Sequence, residues 1–367
     1  MRAPGSRPLR RATTLLALVA AACAAPRAEE AEPGIERPTG WRVDVAEHIG
    51  LWYHGLAYVR AADGEGNGPA VPRYAPAYVD SIVRLKRRLG IYPTVLDTTP
   101  EALRTELRGE SYDGLEFLPL YFQDTAALFS SIEEWEATGG DPRRAGSAAA
   151  ARVVAFLSSL FPRARQRDAV VAFADALRRE RETFYAAYWQ ERLPTLRARS
   201  ADVQREWDAL APALRDYLDY AQLENGELFL VPALGAEGRL VRRGLPFPRA
   251  AEMVPPAARP ADAVLAFVHE MTYPIAQDAV RDYVAPARLR ELGEERLVSR
   301  AAVRAGAMLL DGVAPDRTAA YQRLYLRAVG REAEDGTLEA EFREAFPLPA
   351  ELERGLRQVI DRALAGI

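Results

Sequence analysis

The chain has 367 residues, of which 49% are hydrophobic and 27% charged, so it can bury a sizeable core and shows no overall signature of disorder. Its formal net charge is −4 and no basic block stands out, which argues against nucleic acid as a partner. Because the chain contains one cysteine, an intramolecular disulfide is impossible.

The N-terminus has the features of an export signal. A segment with four arginines precedes an apolar run at 13–22 that is too short to span a bilayer. The run leads to VAAAC, ending at Cys23, which resembles the lipobox of bacterial lipoproteins, although Ala20 stands where that motif usually has leucine. The resemblance implies that 1–22 is a cleaved signal peptide and that Cys23 is lipidated. The alternative is ordinary signal-peptidase cleavage at a nearby Ala-x-Ala site, with Cys23 incidental.

Composition divides the remainder into three parts. Residues 23–40 comprise Cys23 and a tether rich in Pro, Glu and Ala that lacks apolar periodicity. Residues 41–220 form a helical N-terminal region, and 221–367 form a second region with a strand signal and further helices. If the protein is exported and anchored, it lies in the periplasm or cell envelope and contacts a membrane through its lipid only.

Apolar periodicity predicts helices over 45–59, 78–89 and 148–160, with Gly90 as the cap that ends the second. The strongly apolar segment 111–122 is expected in the core. Between 163 and 220 the chain is predicted to be almost wholly helical.

Several features refine this helical pattern. Pro194 and Pro212 are expected to divide the long helical region. His48 and His54 fall within the first predicted helix, six residues apart and about 120° from each other, which does not make a chelating pair. Each is interpreted as a packed or capping histidine.

The pattern changes after Gly226. An apolar run at 227–234 and a glycine-bounded turn at 235–238 precede a short Arg-Leu-Val-Arg segment, which predicts a β-hairpin. Residues 244–260 are predicted to be a proline-rich loop, and helices are expected over 281–310, 317–329 and 348–364. The fold class is therefore mainly α, or α+β, with a small hairpin or sheet before one buried helix.

That buried helix contains an unusual ionisable pair. The residues from Ala263 to Val268 are apolar on every side, and His269 and Glu270 follow directly. A buried ionisable pair is costly unless it is paired or coordinated. The stretch resembles the zincins, metallopeptidases that carry His-Glu-x-x-His on a buried helix, with two histidines binding zinc and the glutamate activating water.

The sequence departs from this motif at one position. Tyr273 replaces the second histidine and Pro274 follows it, so the helix is expected to end or kink there. The resemblance implies that His269 is a metal ligand, that Glu270 is the catalytic base, and that Tyr273 stands in the second ligand position. It also implies a third ligand from the next helix. The candidates are Glu291, Glu294 and Glu295.

The order of elements from 41 to 330 is similar to that of secreted bacterial zincin-like proteins. In zincins, an edge strand shortly before the motif helix binds extended substrate by strand addition, and the predicted hairpin stands at the corresponding place. Three interpretations follow. In the favoured one the protein is a pseudo-peptidase or binding protein without a cofactor, and His269 and Glu270 are a buried hydrogen-bonded pair. In the second it is an active zinc peptidase whose ligands are His269, a downstream glutamate and Tyr273 or His54.

In the third interpretation the zincin likeness is coincidental, and the chain is a helical structural or interaction lipoprotein of the envelope. The expected partner is a peptide or an envelope protein. Other catalytic signatures, such as a Gly-rich phosphate loop, a Gly-x-Ser-x-Gly elbow or a Cys-His nucleophile, are absent from the sequence.

Overall fold

The computed structural model describes residues 38–60 and 69–366. The fold is mainly α with one small sheet, as the sequence predicts. The helices are α1 (Glu47–Arg60), α2 (Tyr78–Leu89), α3 (Glu101–Arg108), α4 (Thr125–Ala137), α5 (Ala148–Leu160), α6 (Ala164–Glu180), α7 (Ala186–Leu210), α8 (Arg215–Ala221), α9 (Ala261–Tyr283), α10 (Pro286–Leu292), α11 (Glu294–Val313), α12 (Pro315–Ala328), α13 (Leu338–Ala345) and α14 (Ala350–Leu364).

Several helices begin and end where local signals place them. Helix α2 has the predicted bounds, and Gly90 caps it in the left-handed conformation at φ 72°. Helix α5 also has its predicted bounds, and the Ser147 side chain accepts a hydrogen bond from the Ala150 N–H at its start. A π-helical turn, Arg181–Tyr185, joins α6 to α7. These elements confirm that caps and apolar spacing locate the ends of individual helices.

Two prolines behave differently from the sequence expectation. Pro194 lies inside α7, and Pro274 lies inside α9, which continues to Tyr283. The expectation that Pro194 divides the helical region is therefore wrong, and of the two outcomes expected at Pro274, an end or a kink, the helix does not end there. A proline in a helix interior leaves the carbonyl four residues before it without its helical donor, here that of Glu270. Tertiary packing outweighs this loss, because α9 packs against α11, α14 and α7.

The sheet has four strands: β1 (Trp41–Asp44), β2 (Gly226–Val231), β3 (Arg239–Val241) and β4 (Arg249–Met253), in the order β1-β2-β4-β3. Strand β2 is parallel to both β1 and β4, and β3 is antiparallel to β4. The predicted hairpin between 227–234 and the Arg-Leu-Val-Arg segment is therefore wrong. The β4 strand, within the segment predicted as a loop, lies between them, and the hairpin is β3–β4.

The sheet lies between two hydrophobic cores. Along β2, Leu228 and Leu230 belong to one core, which contains most of α9 and α11. Phe229 and Val231 belong to the other, which contains α1 and α6. All six residues of β2 are buried, which is typical of a central strand covered on both faces.

These cores form one compact unit that spans Arg37–Ile367. The sequence-based boundary between 220 and 221 falls inside this unit, one element before β2. Among the described residues, no helix is both long and apolar enough to cross a membrane.

A candidate cleft beside the His-Glu helix

The first half of α9 is positioned by the sheet and by aromatic packing. The side chains from Ala263 to Val268 are all buried. Phe267 packs against Trp41 of β1 and Trp207 of α7, with ring centroids 4.4 and 5.3 Å away. This packing fixes the rotation of α9 about its axis and hence the positions of the two residues that follow.

His269 and Glu270 form a buried hydrogen-bonded pair, the arrangement that the favoured interpretation requires. His269 Nδ1 lies 2.9 Å from Glu270 Oε1, and the Gly238 backbone N–H donates to the same oxygen at 3.0 Å. The imidazole also packs against the ring of Tyr325, with centroids 5.3 Å apart. The other ring nitrogen, Nε2, is buried and has no hydrogen-bond partner among the described residues.

Tyr273 occupies the position of the missing second histidine. Its ring centroid is 5.9 Å from that of His269, and its side chain lines an open cleft. Burial, and after it the negative charge of Glu237, raises the pKa of the Tyr273 phenol. The phenol therefore stays neutral at pH 7, and neutral phenol is a poor zinc ligand.

The three candidate glutamates separate into two groups. Glu294 and Glu295, in the first turn of α11, line the same cleft as Glu270 and Tyr273. Glu295 also pairs with Arg73. Glu291 does not line this cleft; it lies on α10 with a side chain 66% exposed and pairs with Arg288 at 2.5 Å.

The other histidines lie outside this site. His54, buried in the opposite core, contacts Tyr78 and Glu180 at 3.0 and 3.4 Å, and His48 lies 3.0 Å from the carbonyl of Phe122. Both are packed residues, as the sequence predicts, and His54 is not placed to complete a ligand set at the cleft. Within the described parts of the chain, no group of three or more His, Cys, Asp or Glu side chains is arranged to hold a metal ion.

The cleft has a volume of about 580 Å3 and an acidic lining. Five carboxylates and two guanidinium groups contribute to it. The charged lining residues are Asp113, Glu116, Glu270, Glu294, Glu295, Arg73 and Arg239.

A second cavity of about 400 Å3 adjoins the cleft. The two share Phe117, Leu240 and Pro274, so they lie side by side along β3. The charged residues of the second cavity are Arg242, Arg243 and Asp278. Together the two cavities form a groove that is acidic at the Glu270 end and basic at the Arg242 end.

A buried ion-pair network forms the floor at the acidic end. Glu116 accepts hydrogen bonds from Arg60 at 2.8 Å and from Arg239 Nε at 2.6 Å, and Arg73 approaches it at 3.4 Å. Glu237 accepts from Arg73 at 2.9 Å and from Arg239 at 3.2 Å. Because every one of these guanidinium groups has a buried carboxylate partner, the network fixes Arg73 and Arg239 at the cleft wall.

Glu252 is a site residue that the sequence analysis missed. It lies on β4, is completely buried, and neither carboxyl oxygen has a hydrogen-bond partner among the described residues. Its carboxyl packs directly on Gly238, where any side chain would overlap it. Burial and then the neighbouring Glu270 carboxylate raise the pKa of Glu252 well above its ordinary value, which favours the neutral acid.

No sequence signal marks Glu252, because β4 itself is not recognisable in a proline-rich segment. Glu116 carries a weak signal, as the only acid between Leu115 and Tyr121 in a run otherwise composed of apolar residues. Comparison of the chain with protein-family models, with curated proteins and with solved structures finds no match.

Proposed function

We propose that the protein is an exported, zincin-like pseudo-peptidase that binds an extended peptide along β3 without cleaving it. The observation that carries the proposal is the groove that runs along β3 to Glu270 and Tyr273. In the described parts of the chain, no set of three or more His, Cys, Asp or Glu side chains is arranged to hold a metal ion. The groove is the proposed binding site of the peptide, and the buried His269–Glu270 pair supports its wall.

The position of β3 suits strand addition. It is the last strand in the order β1-β2-β4-β3, so one of its edges pairs with β4 and no described strand pairs with the other. A peptide that adds to such an edge gains main-chain hydrogen bonds, and flanking pockets select its side chains. Leu240 and Val241 of β3 line the adjoining cavities.

The charges along the groove indicate the orientation of the peptide. An amine, from a peptide N-terminus or a Lys or Arg side chain, is favoured near Glu270, Glu294 and Glu295. A carboxylate is favoured near Arg242 and Arg243. Complementary charges of this kind set register and speed association more than they raise affinity.

The donor set opposes hydrolysis in the zincin manner. A histidine pair is needed to bind zinc from one face of the helix, and the second position holds a neutral phenol. Glu270, which would activate the water, instead accepts a hydrogen bond from the Gly238 N–H and is hydrogen-bonded to His269 Nδ1 through the same oxygen. These contacts support binding in preference to catalysis.

The peptide proposal is tested by fluorescence anisotropy with a fluorescein-labelled octapeptide, Lys-Lys-Val-Thr-Val-Thr-Asp-Asp, and the mature protein. We expect E294Q/E295Q to weaken binding by about fivefold or more at low salt, because two carboxylates near the amine are removed. The matched control is E291Q, which removes a carboxylate that does not line the groove. Equal affinities for all three proteins, or no binding by the wild type, would overturn the proposal and favour the structural envelope role.

The competing peptidase hypothesis is tested on the same preparation. Stoichiometric zinc by elemental analysis, together with casein cleavage that is lost in E270Q, would show an active enzyme with an unconventional ligand set. We expect neither result. Zinc with cleavage unchanged in E270Q would exclude the glutamate as its base.

The anchor is part of the proposal, although Cys23 lies outside the described residues. Mass spectrometry of membrane-extracted protein is expected to show an acylated Cys23, and C23S is expected to release the protein from the membrane fraction. A free N-terminus at Ala24 or beyond would contradict the anchor without affecting the peptide groove.

A further inference from the structure

A third cavity, as large as the acidic cleft at about 580 Å3, has a basic lining. It shares Arg73 with the acidic cleft and is otherwise formed by different residues. Five arginines and one glutamate contribute to its wall. These are Arg60, Arg73, Arg296, Arg300, Arg331 and Glu344.

The wall of this cavity is held in place by backbone hydrogen bonds. The segment from Pro69 to Pro76 forms one side, where the Ala70 N–H donates to Ser299 Oγ at 3.2 Å. The Arg73 carbonyl accepts from the Gly235 N–H at 2.6 Å, and the Ala75 N–H donates to the Ala233 carbonyl at 3.0 Å. The cavity is thus bounded by fixed backbone opposite α11.

Helix α11 places two guanidinium groups on the cavity from one face. Arg296 and Arg300 are four residues apart, so they lie one helical turn from each other. Like charges at this spacing repel each other. Burial, and after it the charge of Arg296, lowers the pKa of Arg300. An anion beside Arg300 would offset both effects.

The positive charge of the cavity is only partly compensated. Arg60 and Arg73 pair with Glu116, Glu237 and Glu295 of the neighbouring network.

At the other side, Arg331 pairs with Glu344 at 3.1 Å, and its Nη1 lies 3.7 Å from Glu341, too far for a hydrogen bond, and is buried without a hydrogen-bond partner. Arg300 makes no ion pair among the described residues, and its Nε is likewise buried without a partner. Two buried N–H donors in one basic cavity are a costly arrangement that an acceptor would relieve.

We propose that this cavity binds an organic oxyanion, a carboxylate or phosphate attached to an apolar body. Arg300 and Arg331 donate to the oxyanion, and Arg296 contributes charge from the same side. The apolar body packs against Val71 and Val329, which also line the cavity. A volume of about 580 Å3 is in the range of small-molecule sites.

The test uses phenyl phosphate and benzoate as separate probes, titrated calorimetrically into the mature protein at low salt. We expect at least one probe to bind with a Kd below about 1 mM, and R300Q and R331Q each to weaken it by about tenfold (about 1.4 kcal/mol), because each removes a charge-assisted hydrogen bond. The two probes distinguish a phosphate from a carboxylate ligand. Phenol, which lacks the anion, is expected not to bind.

The matched control is R288Q, which changes the net charge equally at an exposed arginine on α10. It is expected to leave the Kd within about twofold, since distant exposed charges are largely screened. Failure of both probes to bind, or equal weakening by R288Q and R300Q, would overturn the proposal.

The chain itself is the competing source of an anion. Residues 61–68, outside the described residues, connect Arg60 to Pro69 and include Asp63 and Glu65. D63N/E65Q is expected to leave the probe Kd unchanged. If a probe binds only after these substitutions, the cavity serves an internal contact and the proposal of an external ligand is wrong.

Discussion

Glu116 remains ionised in a site from which water is excluded. Burial alone would raise the pKa of its carboxyl, but the guanidinium groups of Arg239, Arg73 and Arg60 outweigh that effect and lower the pKa from 4.5 to about 2. The carboxylate thus belongs to a network that holds together α1, the segment before α2, and β3. Removal of its charge would leave Arg60 without an ion pair among the described residues and Arg239 with Glu237 alone.

The first prediction concerns the loss of this carboxylate. We expect E116Q to lower the free energy of unfolding by about 3–5 kcal/mol, the usual effect of removing one partner from a buried ion pair. Urea denaturation followed by circular dichroism measures it. The control is E133Q, whose carboxylate is 60% exposed and pairs with Arg178; its effect is expected to stay below about 1 kcal/mol. Similar losses in both variants would refute the importance of the network.

The same residue predicts a pH dependence. An acid with a lowered pKa in the folded state stabilises that state fully above its unfolded pKa, and loses this contribution as the pH falls through the folded value. For Glu116 the window runs from about pH 4.5 down to about 2. Wild type is expected to lose about 3 kcal/mol more than E116Q across this window. Parallel pH–stability curves for the two proteins would contradict the ionised state of Glu116.

At the residue scale, the sequence predicted the pair and part of its surroundings. An ionisable pair within an apolar helix is unusual, and this singles out His269 and Glu270. The zincin resemblance adds the other candidates: Tyr273, Glu291, Glu294 and Glu295. The arginines and acids of the buried network were not singled out, because charged residues are ordinarily exposed. The partners of Glu116 lie 43 to 123 residues away in the sequence, and Arg73 and Glu237 are 164 residues apart, which local spacing cannot reveal.

Helices α11 and α12 approach each other closely at Gly306. A side chain at this position would place its Cβ 2.6 Å from Tyr321 Cζ, with the Tyr321 hydroxyl closer still. Tyr321 is completely buried. Glycine therefore carries a packing requirement here, although it weakens a helix relative to alanine by about 0.5–1 kcal/mol.

The second prediction is that G306A destabilises the protein by about 1–3 kcal/mol despite its better helix propensity, because the methyl group overpacks the interface. Y321F removes the hydroxyl nearest to the added methyl, so G306A/Y321F is expected to lose less than the sum of the two single variants. Thermal and urea unfolding of all four proteins complete the cycle. The control is G146A, where nothing lies within 4 Å of the added atom. Strict additivity would show that this contact does not limit the packing.

At the element scale, local signals predicted the helices better than the strands. The bounds of α2 and α5 follow from apolar spacing and caps, which depend on neighbours within a few residues. Strand β2 pairs with β4 and not with β3, and places Glu227 opposite Arg249. This pairing joins residues that are separated by a long connection in the chain, so local signals do not reveal it. The Arg-Ala-Ala-Glu-Met sequence of β4 has little β propensity, so only tertiary context makes it a strand.

At the scale of the whole molecule, strand β2 connects the two hydrophobic cores, because its side chains alternate between them. Leu230 packs in the core that contains the His-Glu helix, and Phe229 packs in the core that contains α1 and α6. Because the two faces of a strand share one backbone, β2 cannot be displaced from one core without also being displaced from the other. The sequence predicts a boundary between 220 and 221 from the change in composition, and this stays a prediction that unfolding experiments can test.

The third prediction is that residues 41–367 unfold in a single transition. L230A and F229A each remove side-chain atoms from a different core, and each is expected to shift the same calorimetric transition, with L230A costing about 2–5 kcal/mol. Circular dichroism and tryptophan fluorescence should give coincident midpoints, because Trp207 reports on one core and Trp52, Trp135 and Trp189 on the other. L89A is the control, since Leu89 is 59% exposed. Two transitions, each shifted by only one of the core variants, would instead show that 41–220 and 221–367 are independent units. Both units would then contribute to the peptide groove, because Phe117 and Leu240 come from opposite sides of that boundary.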